Sequence, residues 1–304
     1  MIIPMNQYIR SLTLILSIFI PLTFINVSES SELSEAKITL NDLYLFDEIS
    51  SIDVSHSAKQ IAYSVSSVDE KKDRYRNDIW LLDVNKNKKK VLIKGRPWVG
   101  KTKFSPNDTL VGYLAPGRGQ YSEYQQIWTI NTNYRTKRQL TKLKANINDF
   151  EWSPDGTQMI LVADSIPVDK KTKSSVQTQK PIVIDRYYFK EDGKEFLGDK
   201  RQHLHLLDIK SRTTRQLTKG TSNEILPSWS PDSKKIAYVT KTGEMDRTNN
   251  YDVYVLEIDS TNNPIQLTTN LGADSSSSRP QWSPDGRKIA YLHGGDPALL
   301  WYAL

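Results

Sequence analysis

Several residue sets in this chain have types and spacings that could do chemistry. Gly95-Arg96-Pro97-Trp98-Val99-Gly100-Lys101-Thr102 matches G-x-x-x-x-G-K-T, a pattern that cradles phosphate at the start of a helix. No helix can follow here, because Phe104-Ser-Pro-Asn-Asp108 is a copy of a repeated turn, and Pro97-Trp98 make the loop stiff and bulky. The segment therefore reads as a link between repeats. His203 and His205 lie two apart on a strand, so they share a face and could begin a metal site. No third ligand has a fixed spacing to them. With Ile79, Leu81, Val253 and Val255 taken as their equivalents, they read as packed residues and no metal is expected. His56 and His293 sit at or near repeat corners.

Ser, His and Asp all occur, so composition allows a catalytic triad. Every Ser-Pro-Asp recurs as a turn, however, whereas a nucleophile should be unique, and no G-x-S-x-G elbow is present. No catalytic residue and no cofactor is expected. Arg118, in the Pro116–Gly119 loop, and Arg186 could fork onto a ligand carboxylate or carbonyl, or could serve as surface or interdomain residues.

The elements that position these residues are set by a repeat. WSPDG spans Trp152, Pro154, Asp155 and Gly156, and returns at Trp282, Pro284, Asp285 and Gly286. WSPDS carries Trp229, Pro231 and Asp232, while FSPND at Phe104 and VSHSA at Val54 are degraded copies. The corner serines (55, 105, 153, 230, 283) are spaced 50, 48, 77 and 53 apart, the 77 being one period plus an insertion at about 164–200. Pro sets φ for the first corner of a turn, Asp bonds back to the backbone and Gly accepts positive φ. Each corner is followed by a short apolar strand such as Ile236-Ala-Tyr238, then an alternating strand such as DVYVLEI (252–258), then a basic-apolar strand such as TRQLT (214–218).

Four short strands at this period define an all-β fold, a β-propeller of four four-stranded antiparallel blades plus the start of a fifth. The propeller is expected over 38–304, and an array of this length can stand as an open arc. Ile38–Ile49 reads as a short helical lead-in. Within the insertion, IVIDRYYFKEDGKEF reads as a hairpin turning at Asp192-Gly193.

Bulk properties narrow the class. The net charge of +6 comes from Lys runs in turns, which reads as a solvated surface, and no nucleic-acid partner is expected. Cysteine is absent, which excludes disulfides, thiolate zinc sites and cysteine nucleophiles. Arg10 followed by the apolar run Leu12–Ile25, interrupted at Pro21, reads as a secretory signal over 1–30. The expected location is exported, periplasmic or secreted, with an uncleaved N-terminal anchor as the alternative and no other membrane contact.

The lead-in TLNDLYLFDEIS, the WSPDG corners, the RQLT strands and the stretch DRYYFKEDGKEFLGDKRQHLHLLDI (185–209) resemble the propeller of the prolyl oligopeptidase family of serine peptidases, in its acylaminoacyl-peptidase-like branch. That resemblance covers about 38 to 292. It implies a propeller that caps a C-terminal α/β-hydrolase domain with a Ser-Asp-His triad and restricts admission to short peptides. On this reading the chain is the N-terminal, non-catalytic gating part of an exported peptidase, its partners being the hydrolase domain and a peptide substrate. The chain breaks off in a fifth unit, ALLWYAL (298–304), and has no paired-Glu segment of the dipeptidyl-peptidase kind. The corners are shared with TolB-type propellers, so a periplasmic protein-binding propeller without hydrolase activity is the alternative.

Overall fold

Hydrogen bonding at the repeated corner explains its sequence. The computed structural model describes residues 39–165, 189–191, 195–196, 200–243, 248–260, 263–269 and 271–295. Ser153 Oγ accepts the Gln158 N–H at 2.9 Å and donates to Asp155 Oδ1 at 2.6 Å. The Gly156 N–H donates to the Ser153 carbonyl at 2.8 Å. The same bonds recur at Ser230 with Asp232 and at Ser283 with Asp285, and Asn107 takes the acid's place beside Ser105.

The residue three after each serine is left-handed: Gly156 (φ 73°) and Gly286 (φ 69°), but also Ala58 (φ 56°), Asp108 (φ 59°) and Ser233 (φ 59°). A side chain in that conformation costs about 1–2 kcal/mol, part of which is offset because glycine loosens the unfolded chain. Ala58→Gly is therefore expected to stabilise the fold by about 0.5–1 kcal/mol, and Gly156→Ala to destabilise it by about as much. The atom nearest a Cβ at Gly156 is Pro106 Cδ at 3.7 Å, so the cost there is backbone strain and not a clash. Urea midpoints of the two variants, shifting in opposite directions, check this.

Each corner joins the first two strands of a blade. Blade 1 holds β1 (Glu48–Val54), β2 (Gln60–Asp69), β3 (Arg74–Asp83) and β4 (Lys88–Arg96). Blade 2 holds β5 (Gly100–Phe104), β6 (Leu110–Pro116), β7 (Gln125–Asn131) and β8 (Lys137–Gln139). Blade 3 begins with β9 (Ile147–Trp152) and β10 (Gln158–Asp164). In the insertion, β11 (Lys190–Glu191) pairs antiparallel with β12 (Glu195–Phe196), as a hairpin requires. Blade 3 is completed by β13 (Gln202–Asp208) and β14 (Thr214–Gln216). Blade 4 holds β15 (Glu224–Trp229), β16 (Lys235–Lys241), β17 (Tyr251–Glu257) and β18 (Ile265–Gln266). The pair β19 (Gln281–Trp282) and β20 (Ile289–Ala290) opens a fifth unit. All pairings within the sheets are antiparallel.

The lead-in helix is a 3-10 turn over Leu40–Leu45, and strand β1 starts earlier than expected, at Glu48. The fourth strands are also shorter than the RQLT runs suggest, because the motif bends out of the ladder. Thr141, Thr218 and Thr268 Oγ1 accept the N–H of Ile127, Leu204 and Val253 at 2.9–3.0 Å, so a side-chain oxygen replaces a strand carbonyl. Gln139, Gln216 and Gln266 Nε2 each donate to the carbonyl of the same Thr and lock the bend.

The corner tryptophans tie blade to blade. Trp152, Trp229 and Trp282 Nε1–H donate to the carbonyls of Lys103, Glu151 and Ser228, each on the first strand of the preceding blade. Apolar clusters fill the interfaces: Leu81, Ile93 and Phe104 between blades 1 and 2, Phe150 and Leu161 with Leu114 and Ile127 between 2 and 3, Leu204 and Leu206 with Trp229 and Tyr238 between 3 and 4. At the other face of blade 1, Ile52 and Val54 are 62% and 52% exposed, whereas Phe104 and Trp152, in register with Val54, are 2% and 8% exposed.

Candidate functional site

The first strands of blades 1, 2 and 3, and of 3, 4 and the fifth unit, lie against one another in succession. Register positions are therefore brought together across blade boundaries. Two residues before the corner serines stand Asp53, Lys103, Glu151, Ser228 and Gln281; four before stand Ser51, Lys101, Asp149, Leu226 and Arg279. Residues two apart on a strand share a face.

These positions build a charged network across blades. Arg279 donates to Asp149 Oδ2 at 2.7 Å and lies 3.3 Å from Glu151 Oε1. Its other terminal nitrogen donates to the Pro227 carbonyl of blade 4. Lys101 contacts Asp149 and, at 2.9 Å, Glu151. Lys103 lies 3.2 Å from Asp53 and 3.6 Å from Glu151. Asp53 Oδ2 also accepts the Phe104 N–H at 2.8 Å, so its place is fixed by the backbone of blade 2. Lys101, Lys103, Glu151 and Arg279 line a cavity of about 420 Å³ together with Ser50, Ile52 and their neighbours.

Burial alone would push the Asp149 carboxyl up, but Arg279 and Lys101 beside it hold it below the ordinary carboxylate range. Burial would likewise lower Lys103, yet Glu151 and Asp53 keep it above its ordinary value. The network thus sets three basic side chains, Lys101, Lys103 and Arg279, against three carboxyl groups, Asp53, Asp149 and Glu151. The cavity wall itself carries Lys101, Lys103, Arg279 and the Glu151 carboxylate, so it can offer a countercharge to either end of a zwitterionic chain.

The expected site residues fall elsewhere. Arg118 sits in the β6–β7 connection, its guanidinium 4.8 Å from the Trp128 ring centroid, and lines a separate cleft. Arg186 and the 1–30 signal lie outside the described residues, as does most of the insertion. The corner residues do what their sequence implies, closing hairpins and, through tryptophan, joining blades. In the P-loop-like segment, Gly100–Thr102 lie in strand β5, Lys101 is committed to the ion network, and Thr102 Oγ1 lies 3.1 Å from Ser51 Oγ.

The two histidines need a correction. Their equivalents are not Ile79, Leu81, Val253 and Val255. Strand pairing puts His205 level with Trp80, Trp128 and Tyr254, since Leu161 faces it as Tyr63, Tyr113 and Tyr238 face those rings. His203 then matches Asp78, Gln126 and Asp252, the polar position beneath the fourth-strand bend. There His203 Nδ1 meets Glu224 Oε2 at 2.6 Å, and Thr218 Oγ1 donates to the same oxygen at 2.9 Å. Among the described residues no group of three His, Asp or Glu side chains could hold a metal ion. His293 Nδ1 pairs with the buried Asp274 at 2.6 Å, and no hydroxyl among the described residues bonds its second nitrogen.

The charged network was missed by motif reading because no contiguous segment contains it. The signal lay in the alignment of repeats, where the residues one and three before the corner aromatic reverse sign, from Lys103 and Lys101 before Phe104 to Glu151 and Asp149 before Trp152.

No protein-family model matches the chain. Among curated proteins it is 26% identical to an uncharacterized peptidase, YuxL, of Bacillus subtilis, over 72% of this chain and 34% of that protein. It is 23% identical to dipeptidyl-peptidase 5 of Porphyromonas endodontalis, over 94% of this chain and 43% of that protein. Acylaminoacyl peptidase of Pyrococcus horikoshii superposes with a TM-score of 0.62 at 15% identity, covering 84% of this chain and 36% of that one. The chain has a β-propeller fold. A putative TolB of Agrobacterium tumefaciens superposes with a TM-score of 0.51 at 16% identity, covering 79% of this chain and 72% of that one. The chain spans between a third and a half of the length of the curated relatives it matches.

Proposed function

We propose that this chain is the non-catalytic, substrate-admitting propeller of an exported serine peptidase that acts on short peptides, working with a C-terminal α/β-hydrolase domain. The observation that carries the reading is the cavity on the first strands, whose wall carries Lys101, Lys103 and Arg279 together with the Glu151 carboxylate. A short peptide brings an ammonium and a carboxylate close together, and both find a fixed countercharge there. The similarity to two curated peptidases supports the same reading. So does the exposed apolar face at Ile52 and Val54, which suits the stacking of a further blade. Export rests on Arg10 and the apolar run Leu12–Ile25.

The test begins with the reading frame after the Leu304 codon. The proposal expects further corners, a G-x-S-x-G elbow and a later Asp and His. The protein encoded by that frame should hydrolyse unblocked tripeptides, whose free ammonium and carboxylate are the groups the cavity would pair. Lys103→Gln should raise KM about three- to tenfold at unchanged kcat, since it removes uniform binding. A stop codon with no hydrolase frame, or an active enzyme indifferent to Lys103, overturns the reading. In the first case partner binding of the TolB type becomes the better account, favoured by the 72% coverage of the Agrobacterium chain.

A further inference from the structure

A second cleft, of about 560 Å³, lies at the outer edge of blade 2, and its lining is one-signed. Arg118, Lys137, Arg138, Lys142 and Arg212 line it, with Gln139 and the 119–121 turn, and no acid does. None of the five cations has an ion-pair partner among the described residues. Like charges gathered without a counterion repel, so five around one concavity favour an anion.

The wall is held in place by hydrogen bonds within blade 2. Gln139 Oε1 accepts the Arg118 N–H at 3.1 Å while its Nε2 donates to the Thr141 carbonyl at 2.8 Å. The Trp128 ring beneath Arg118 is fixed by its Nε1–H, which donates to the Pro116 carbonyl at 3.1 Å. The loop closes on itself through Gly117 N–H to the Tyr124 carbonyl at 3.0 Å. A side chain at Gly117 would meet the Tyr121 carbonyl at 2.6 Å, so the tight turn demands glycine. The Arg118 guanidinium is thus held by stacking, which leaves its N–H edge open to a ligand.

We propose that this cleft binds a compact anion carrying several phosphate groups. Three arginines supply forked donors of the geometry phosphate oxygens accept, and two lysines add mobile charge. The volume is in the range of small-ligand sites. Five charges exceed what one phosphate neutralises, which points to a ligand with several. Free oligophosphate and the headgroup of a phosphorylated lipid share that chemistry.

Calorimetric titration of the full chain with inorganic tripolyphosphate and with orthophosphate tests the proposal. Tripolyphosphate should bind at least about tenfold more tightly than orthophosphate, and its affinity should fall steeply with added salt. The exposed double variant Arg138→Glu/Lys142→Glu should weaken tripolyphosphate at least about tenfold with melting temperature unchanged, whereas Lys59→Glu, outside the cleft, should not. Flotation with phosphatidylcholine vesicles carrying cardiolipin, whose headgroup bears two phosphates, separates the sources. Vesicle binding displaced by tripolyphosphate and lost in the double variant assigns the cleft to a headgroup, and no vesicle binding assigns it to a free anion. Absence of tripolyphosphate binding, equal binding by the double variant, or vesicle binding that tripolyphosphate cannot displace overturns the proposal.

Discussion

Asp149→Ala is expected to destabilise the chain by about 3–5 kcal/mol, the cost of leaving buried charge without its partner. Asp149 bonds Arg279 at 2.7 Å and Lys101, and the side chains of all three are at least four-fifths buried. Without it, three cations share Glu151 and Asp53, and the tie from the fifth unit to blade 3 loses its shortest contact. Asp149→Asn keeps the shape, removes the charge, and should cost less than alanine. Pairing each change with Arg279→Gln in a double-mutant cycle should give a coupling of about 1 kcal/mol or more. Additive losses would mean that the network is a set of independent contacts. Exposed ion pairs fade with salt, whereas this loss should fall less with salt, because its side chains are at least four-fifths buried. Urea unfolding followed by tryptophan fluorescence reports on it directly, since Trp152 and Trp229 lie on the same strands as the network.

Acidification should destabilise the wild type more than a His205→Phe variant, by about 2 kcal/mol at pH 5 and about 3 at pH 4, relative to pH 7.5. Burial in the blade sheet, with His203 beside it acting in the same direction, pushes His205 down from 6.5 to about 4. Its Nε2 is buried with no hydrogen-bond partner, so no acceptor compensates a proton there. The sign follows from proton counting. Between pH 6.5 and 4 the unfolded chain holds a proton on this ring that the fold excludes, so stability falls as pH falls through 6.5 and levels off below 4. Phenylalanine suits a position occupied by Trp80, Trp128 and Tyr254 in the other blades, and it deletes the titration. Acid-labile carboxylates such as Asp149 are common to both proteins and cancel in the difference. Parallel pH profiles for wild type and variant would show that His205 does not titrate differently on folding. His203→Gln, which copies Gln126, separates the neighbour's part of the effect.

Much of this fold was legible in the chain because its determinants are local. A Ser, an acid two residues on and a left-handed residue after it close a turn within six residues, wherever the turn sits. Short apolar strands at fixed distances from five such turns leave few ways to pair them, so blade number and strand order followed. The RQLT motif was read as a strand, and only the Thr Oγ1 bond to the third strand shows why it stops being one.

The histidine register shows where local reading fails. Counting along a strand gave His205 the wrong equivalents, and the antiparallel pairing with Leu161 supplied the right ones. The charged site failed for a deeper reason. Asp149 and Arg279 are 130 residues apart, and neither carries a motif. Sequence alone determined that this protein is a stack of blades and where each corner lies, since turn chemistry and side-chain alternation act over a few residues. Only the tertiary structure decided which charges meet at the first strands and which gather at the outer edge, because Coulomb interactions depend on distance in space and not on separation along the chain.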